Sequence, residues 1–196
     1  MRNPDVTKEK ILLKSGVLFN TQGYKATSIS DITDATGLTK GAIYRHFKNK
    51  EDLERETLYH LSSIMFLKLR EKIKGAKTAG EKLRAIFRFF DSYVTKPELK
   101  GGCPLLNAAI EADDAHPVLR KEAVKVLEIL RESVATILRN GIRFQQLKKN
   151  TDVDGFAAVV IASLEGAIMM SKLKGNNDDI RRITAFLDRQ LKEIEL

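Results

Sequence analysis

The chain of 196 residues contains no tryptophan, one cysteine and four prolines. A lone cysteine, Cys103, excludes an intramolecular disulfide framework and fits a reducing compartment. Prolines this sparse, among abundant Leu, Ile, Ala, Glu and Lys, leave long stretches free to be helical. Strand-period alternation never extends beyond a few residues, and no internal repeat is present, so the expected fold class is all-α. His46, His60 and His116 are scattered without metal-ligand spacing, and there is no glycine-rich phosphate loop or nucleophile motif. Neither an enzyme nor a cofactor or metal protein is therefore expected. The opening Arg2-Asn3-Pro4-Asp5 is not a secretory signal, and the most apolar stretch, residues 156–171, is interrupted by Glu165 and short for a bilayer. The expectation is a cytoplasmic protein without a membrane partner.

The positive charge is unevenly distributed along the chain. Residues 1–50 hold nine Lys or Arg against four acids, which puts +5 of the formal net charge of +8 in the first quarter of the chain. A basic end on an otherwise ordinary globular composition points to an anionic partner such as nucleic acid.

Helix punctuation organises that basic quarter. Thr7 is a candidate N-cap for a first helix running to Gly23, with Ile11, Leu12, Gly16 and Phe19 on its inward stripe. Ser28-x-x-Asp31 reads as a capping box opening a short second helix that stops at Gly37. Thr39 opens a third, residues 40–47, and Asn49-x-x-Asp52 caps a much longer fourth. Two short helices joined by Gly37-Leu38 directly after a longer one describe a three-helix helix-turn-helix. With Ile43 and Phe47 directed to the core, the third helix presents Thr39, Lys40, Gly41, Tyr44, Arg45 and His46 outward. Gly41 is costly inside a helix but allows close backbone approach to a groove wall. Lys40 and Tyr44 suit phosphates, and the Arg45 fork suits a guanine edge. Lys50 places a cation in the first turn of a helix, which is poor for helix stability and good for a phosphate. The plainer reading is a small bundle with a basic solvated face; the joint placement of these groups around a glycine-bearing helix argues against it.

The segments Gly23-Tyr24-Lys25-Ala26-Thr27-Ser28-Ile29, Gly37 through Phe47, and Lys50-Glu51-Asp52-Leu53 together resemble the signature of TetR-family transcriptional regulators. The resemblance covers roughly residues 7–53. It implies that Thr27 and Ser28 touch phosphate at the start of the second helix, that Thr39, Lys40, Gly41, Tyr44, Arg45 and His46 lie in or beside the major groove, and that Lys50 clamps phosphate. Beyond residue 60, Gly102-Cys103-Pro104-Leu105-Leu106-Asn107 with Glu111, and Ser163 through Ala167, resemble the C-terminal domains of a YxaF/LmrA-like subgroup.

The rest of the chain continues the helical pattern, for about nine helices in all, with a functional boundary near residue 48: a helix-turn-helix domain, 1–48, and a larger ligand-binding and dimerisation domain, 49–196. Ala158, Ala162, Gly166 and Met170 recur every four residues as a small-residue face, and Ile180, Ile183, Leu187 and Leu191 form a stripe on the last helix; both are expected at a homodimer interface. For an apolar effector of unknown identity, the candidate walls are Leu61, Met65, Phe87, Phe90, Tyr93, Leu106, Ile110, Leu127, Leu130, Val134 and Met169, with Asn107, Glu111, Tyr93 and Glu165 as polar anchors. Glu165 could equally cap the dimer interface or pair with an Arg, and Cys103 could sense an oxidant or electrophile only in an activating environment. The expected function is a sequence-specific regulator, most simply a repressor released from a palindromic double-stranded operator by its ligand. The alternative is a sensing or interaction protein working through its dimer surface without operator binding.

Overall fold

The computed structural model describes residues 4–91, 95–112 and 116–196. Among the described residues the regular structure is helical: α1 (Pro4–Gln22), α2 (Ile29–Thr36), α3 (Lys40–Tyr44), α4 (Lys50–Ile73), α5 (Ala79–Phe90), α6 (Pro104–Ala112), α7 (Pro117–Arg143), α8 (Val153–Lys174) and α9 (Asp178–Ile194). The boundaries follow local chemistry. The Ser28 hydroxyl accepts from the Asp31 N–H while the Asp31 carboxylate accepts from the Ser28 N–H, which closes the capping box. Gly37 ends α2 in the left-handed region at φ 66°, where a β-carbon is unfavourable. The Thr39 hydroxyl caps α3 by accepting from the Ala42 N–H, and the Asn49 side-chain Oδ1 caps α4 by accepting from the Asp52 N–H. Pro104 and Pro117 each occupy a first helical position. Two expectations need correction. Thr7 is not the N-cap of α1, because the helix already begins at Pro4, another first-position proline. The helix expected over 40–47 is only five residues long, and Arg45 to Phe47 continue it as a turn.

The chain forms two compact units. The first comprises Met1–Met65 with Leu99–Val126, so α6 and the start of α7 pack with the N-terminal helices. Its core is built on Ile11, Phe19, Tyr24, Ile32, Ile43, Phe47, Leu53 and Leu58, all at most 2% exposed. Gly16 lets α1 lie close on α4: a β-carbon there would sit 2.8 Å from Leu61 Cδ2. Tyr24 stacks on Phe19 with centroids 4.8 Å apart. The α1–α2 connection is bolted to α6. The Asn107 amide donates to Asn20 Oδ1 at 2.8 Å, and the Glu111 carboxylate accepts from the N–H groups of Tyr24 and Lys25 at 3.0 Å each. Buried Asn20 in turn donates to the carbonyls of Lys100 and Gly102.

The second unit comprises Phe66–Glu98 and Leu127–Leu196. Here α8 packs on α9 and α5. The Arg84 guanidinium forks onto both Glu195 oxygens at 2.7 Å and reaches Asp188 at 2.6 Å, fastening the end of α9 to α5. Those carboxylates hold the guanidinium even more firmly charged than usual, against the opposing cost of burial. At 22 residues, α8 is longer than the apolar stretch read from the sequence, and by length and composition it could cross a membrane. Its apolarity has a local use: Ala157, Val160, Ile161, Leu164, Ala167 and Ile168 are buried in this unit.

Candidate nucleic-acid interface

The third helix separates its residues as the pattern requires. Ile43 and Phe47 are buried at 0% and 2%, and Leu38 plugs the core from the turn. Lys40, Gly41, Tyr44 and Arg45 are exposed, His46 is half-buried, and Lys40 Nζ lies 5.9 Å from the Tyr44 ring centroid. Gly41 is informative because the fold does not need it. Its φ is not positive, and a β-carbon there would meet nothing within 4 Å. Glycine weakens a helix interior by about 1 kcal/mol relative to alanine, and no contact inside the protein forbids the larger residue here. Ser28 is exposed at the start of α2, its hydroxyl engaged with Asp31, and the Ser28 hydrogen bonds draw the Asp31 carboxyl below its ordinary range.

Two expected phosphate ligands sit differently. Thr27 is completely buried, and its hydroxyl donates to the Gly23 carbonyl at 2.7 Å. It shapes the turn from inside and offers nothing to a phosphate, a correction to the expectation drawn from resemblance. Lys50 is not an unpartnered cation: its Nζ donates to the Tyr24 carbonyl at 2.7 Å and pairs with Glu54 Oε1 at 3.1 Å, though the side chain remains 30% exposed. The buried carboxylate of Glu54, which sequence reasoning missed, explains a first-turn lysine that helix electrostatics alone disfavours. The Lys50-x-x-x-Glu54 spacing is the signal that could have found it.

The candidate effector residues divide between the units. In the first, Leu61 and Met65 are buried, Leu106 is half-buried, and Asn107 and Glu111 hold the α1–α2 connection as described. Ile110 is 68% exposed and faces solvent instead of lining an interior. In the second, Phe87, Phe90 and Val134 are buried, Leu130 and Glu165 are half-buried, and Leu127 and Met169 are exposed at 38% and 44%. Tyr93 lies outside the described residues. Cys103 is buried just ahead of α6. On α8, Ala158 and Ala162 are exposed and Gly166 and Met170 half-buried, so the small-residue face does point outward. The α9 stripe does not. Ile180, Leu187 and Leu191 are at most 1% exposed and Ile183 is half-buried, so this stripe belongs to the chain's own core. An amphipathic helix buries its most apolar side first, and α9 turns Phe186 outward instead, 46% exposed.

Residues 11–57 match the family model described as bacterial regulatory proteins, tetR family, and residues 79–187 match the tetracyclin repressor-like C-terminal domain. The second match spans more than half of the chain. The chain belongs to the TetR family. It is a DNA-binding transcriptional regulator. A TetR transcriptional regulator of Chloroflexus aurantiacus J-10-FL superposes with a TM-score of 0.94 at 34% identity, each chain covered completely. The HTH-type transcriptional repressor DhaR of Mycobacterium sp. (strain GP1) is 22% identical over 88% of this chain and 86% of its own length. The HTH-type transcriptional regulator YxaF of Bacillus subtilis (strain 168) is 25% identical over 84% of each.

Proposed function

We propose that this TetR-family regulator is a homodimeric repressor that grips a palindromic operator through α3 and lets go when a small, largely apolar molecule binds its C-terminal helices. The observation that carries the reading is the exposed, sterically unnecessary Gly41 set among Lys40, Tyr44 and Arg45. In this reading Arg45 reads a base edge, and Ser28, Thr39, Lys40, Tyr44, His46 and Lys50 hold the backbone. The printed name of DhaR, a repressor, supports the direction of control. Dimerisation uses the outward face of α8 together with Phe186 of α9, and the effector draws its apolar contacts from Phe87, Phe90 and Val134. To act as a switch, the effector must favour the operator-incompetent state by about 1–3 kcal/mol.

Gly41 provides the sharpest test, because stability and binding should move in opposite directions. Gly41→Ala should leave thermal stability unchanged or raise it by up to about 1 kcal/mol, while weakening operator binding. A variant that binds its selected operator as tightly as the wild type would remove the close backbone approach. Arg45→Ala should cost roughly 1–3 kcal/mol on the operator, identified by selection from random duplexes, and little on random DNA. An equal loss on both would deny Arg45 a role in base reading.

A further inference from the structure

Tyr24 is held from both sides of its peptide. Its N–H donates to Glu111 Oε1 on α6 at 3.0 Å, and its carbonyl accepts from Lys50 Nζ on α4 at 2.7 Å. Behind Lys50 stands Glu54, 2% exposed, with Oε1 3.1 Å from the ammonium and Oε2 2.6 Å from His116 Nε2. His116 immediately precedes α7, and its Nδ1 accepts from the Leu119 N–H in the first turn of that helix. All of these groups belong to the first compact unit. The Tyr24 phenol is buried beside this cluster, and burial, with the charges of Glu54 and Glu111, pushes its ionisation far above the ordinary range.

We infer that Glu54 and His116 are positioning residues for operator binding: His116 occupies one oxygen of the buried carboxylate, so that Lys50 is shared between Glu54, the Tyr24 carbonyl and an incoming phosphate. The inference rests on the reading of Lys50 as a phosphate ligand. Its physical basis is the appetite of a buried carboxylate for donors. With both oxygens satisfied by different partners, Glu54 holds Lys50 through a single oxygen; with a second ammonium donor on the Tyr24 carbonyl, the third is left available. Without His116, the second oxygen is left to draw Lys50 inward, away from the surface. The start of α7, 62 residues further along the chain, thereby sets the orientation of a DNA-contacting side chain.

The test is a double-mutant cycle read in operator affinity and in the slope of log K against log salt. Lys50→Ala should flatten the slope by about 0.9 for each phosphate that is no longer neutralised. His116→Leu, which fills the space without a donor, should flatten it by the same amount. His116→Gln, which keeps a donor facing Glu54, should restore most of the wild-type slope. In the Lys50→Ala background, His116→Leu should add nothing further. If Lys50→Ala leaves the slope unchanged, the phosphate reading of Lys50 and this inference both fall. If Lys50→Ala flattens the slope but His116→Leu does not, or if the two effects simply add, only the positioning role is overturned. Should His116→Leu fail to fold, the wild-type protein gives a second readout. The His116 ring resonances should shift when operator is added, and Lys50→Ala should abolish that shift; a shift that persists in Lys50→Ala overturns the inference.

Discussion

Ala162→Arg should convert the protein to a monomer and abolish operator binding at concentrations where the wild type is saturated. The outward side of α8 carries Ala158 and Ala162, both exposed, and beside them Val159 at 52%, Met169 at 44% and Leu173 at 82% exposure. At Gly166 a β-carbon would meet nothing within 4 Å among the described residues. In the proposed dimer this apolar surface is what associates, and its small residues let a second helix approach closely enough to bury it. In a two-fold dimer each substitution enters the interface twice. An unpaired buried charge costs about 3–5 kcal/mol, so two copies weaken dimerisation by roughly ten-thousandfold or more. Operator binding follows because a palindrome needs two recognition helices about one helical turn of DNA apart, and a lone half-site complex lacks the effective concentration that tethering supplies. Sedimentation equilibrium and a gel shift on the same preparation would measure both quantities. Residue 162 is exposed, so helix content should be preserved. A variant that remains dimeric would move the interface elsewhere, and a clean monomer with undiminished operator affinity would remove the need for a dimer.

The difference between α8 and α9 shows where sequence reading succeeds and where it stops. Caps and breakers act within a few residues, so Ser28 with Asp31, Gly37, Thr39, Asn49 with Asp52, Pro104 and Pro117 place helix ends that the structure reproduces closely. Periodicity also identifies Ile43 and Phe47 as inward and Tyr44 and Arg45 as outward. What periodicity does not encode is which of two available surfaces an apolar stripe will meet. Ile180, Leu187 and Leu191 form the stronger stripe and go to the chain's own core, whereas the milder face of α8 is left outside. Polar side chains are misread for a related reason. Asn107 and Glu111 look like pocket anchors on a local view, yet their partners are Asn20, Tyr24 and Lys25, 86 or 87 residues away. Family resemblance turns Thr27 outward, but its hydroxyl satisfies a carbonyl four residues back. A hydroxyl in a turn serves the backbone as readily as a ligand.

The same long-range network makes Gly101 the glycine whose replacement should cost most in the first unit. Gly101 has φ 95°, and a β-carbon there would fall on the backbone carbonyl of Asn20. That carbonyl accepts from the Asn107 amide at 3.1 Å, and the Asn20 side chain, 6% exposed, donates to Lys100 and Gly102 on either side of the substituted residue. The β-carbon cannot be accommodated by a rotamer change, because the obstacle is backbone at the end of α1. Gly101→Ala therefore adds a conformational penalty of about 1–2 kcal/mol to an overpacking cost of about 1–3 kcal/mol. In a chain of this size that lowers the melting temperature by on the order of 10 °C. Gly37→Ala isolates the first contribution, since Gly37 has φ 66° with nothing within 4 Å, and should lose about 1–2 kcal/mol. Gly75→Ala isolates neither, having open space and no positive φ, and should melt at or above the wild-type temperature. Differential scanning calorimetry of the three variants orders them directly. If Gly101→Ala melts with Gly37→Ala, the loop before α6 yields freely and does not clamp α1. If it melts well below, the seating of α6 on the α1–α2 turn is rigid, and a change in α6 has no slack to absorb before it reaches Tyr24 and Lys25.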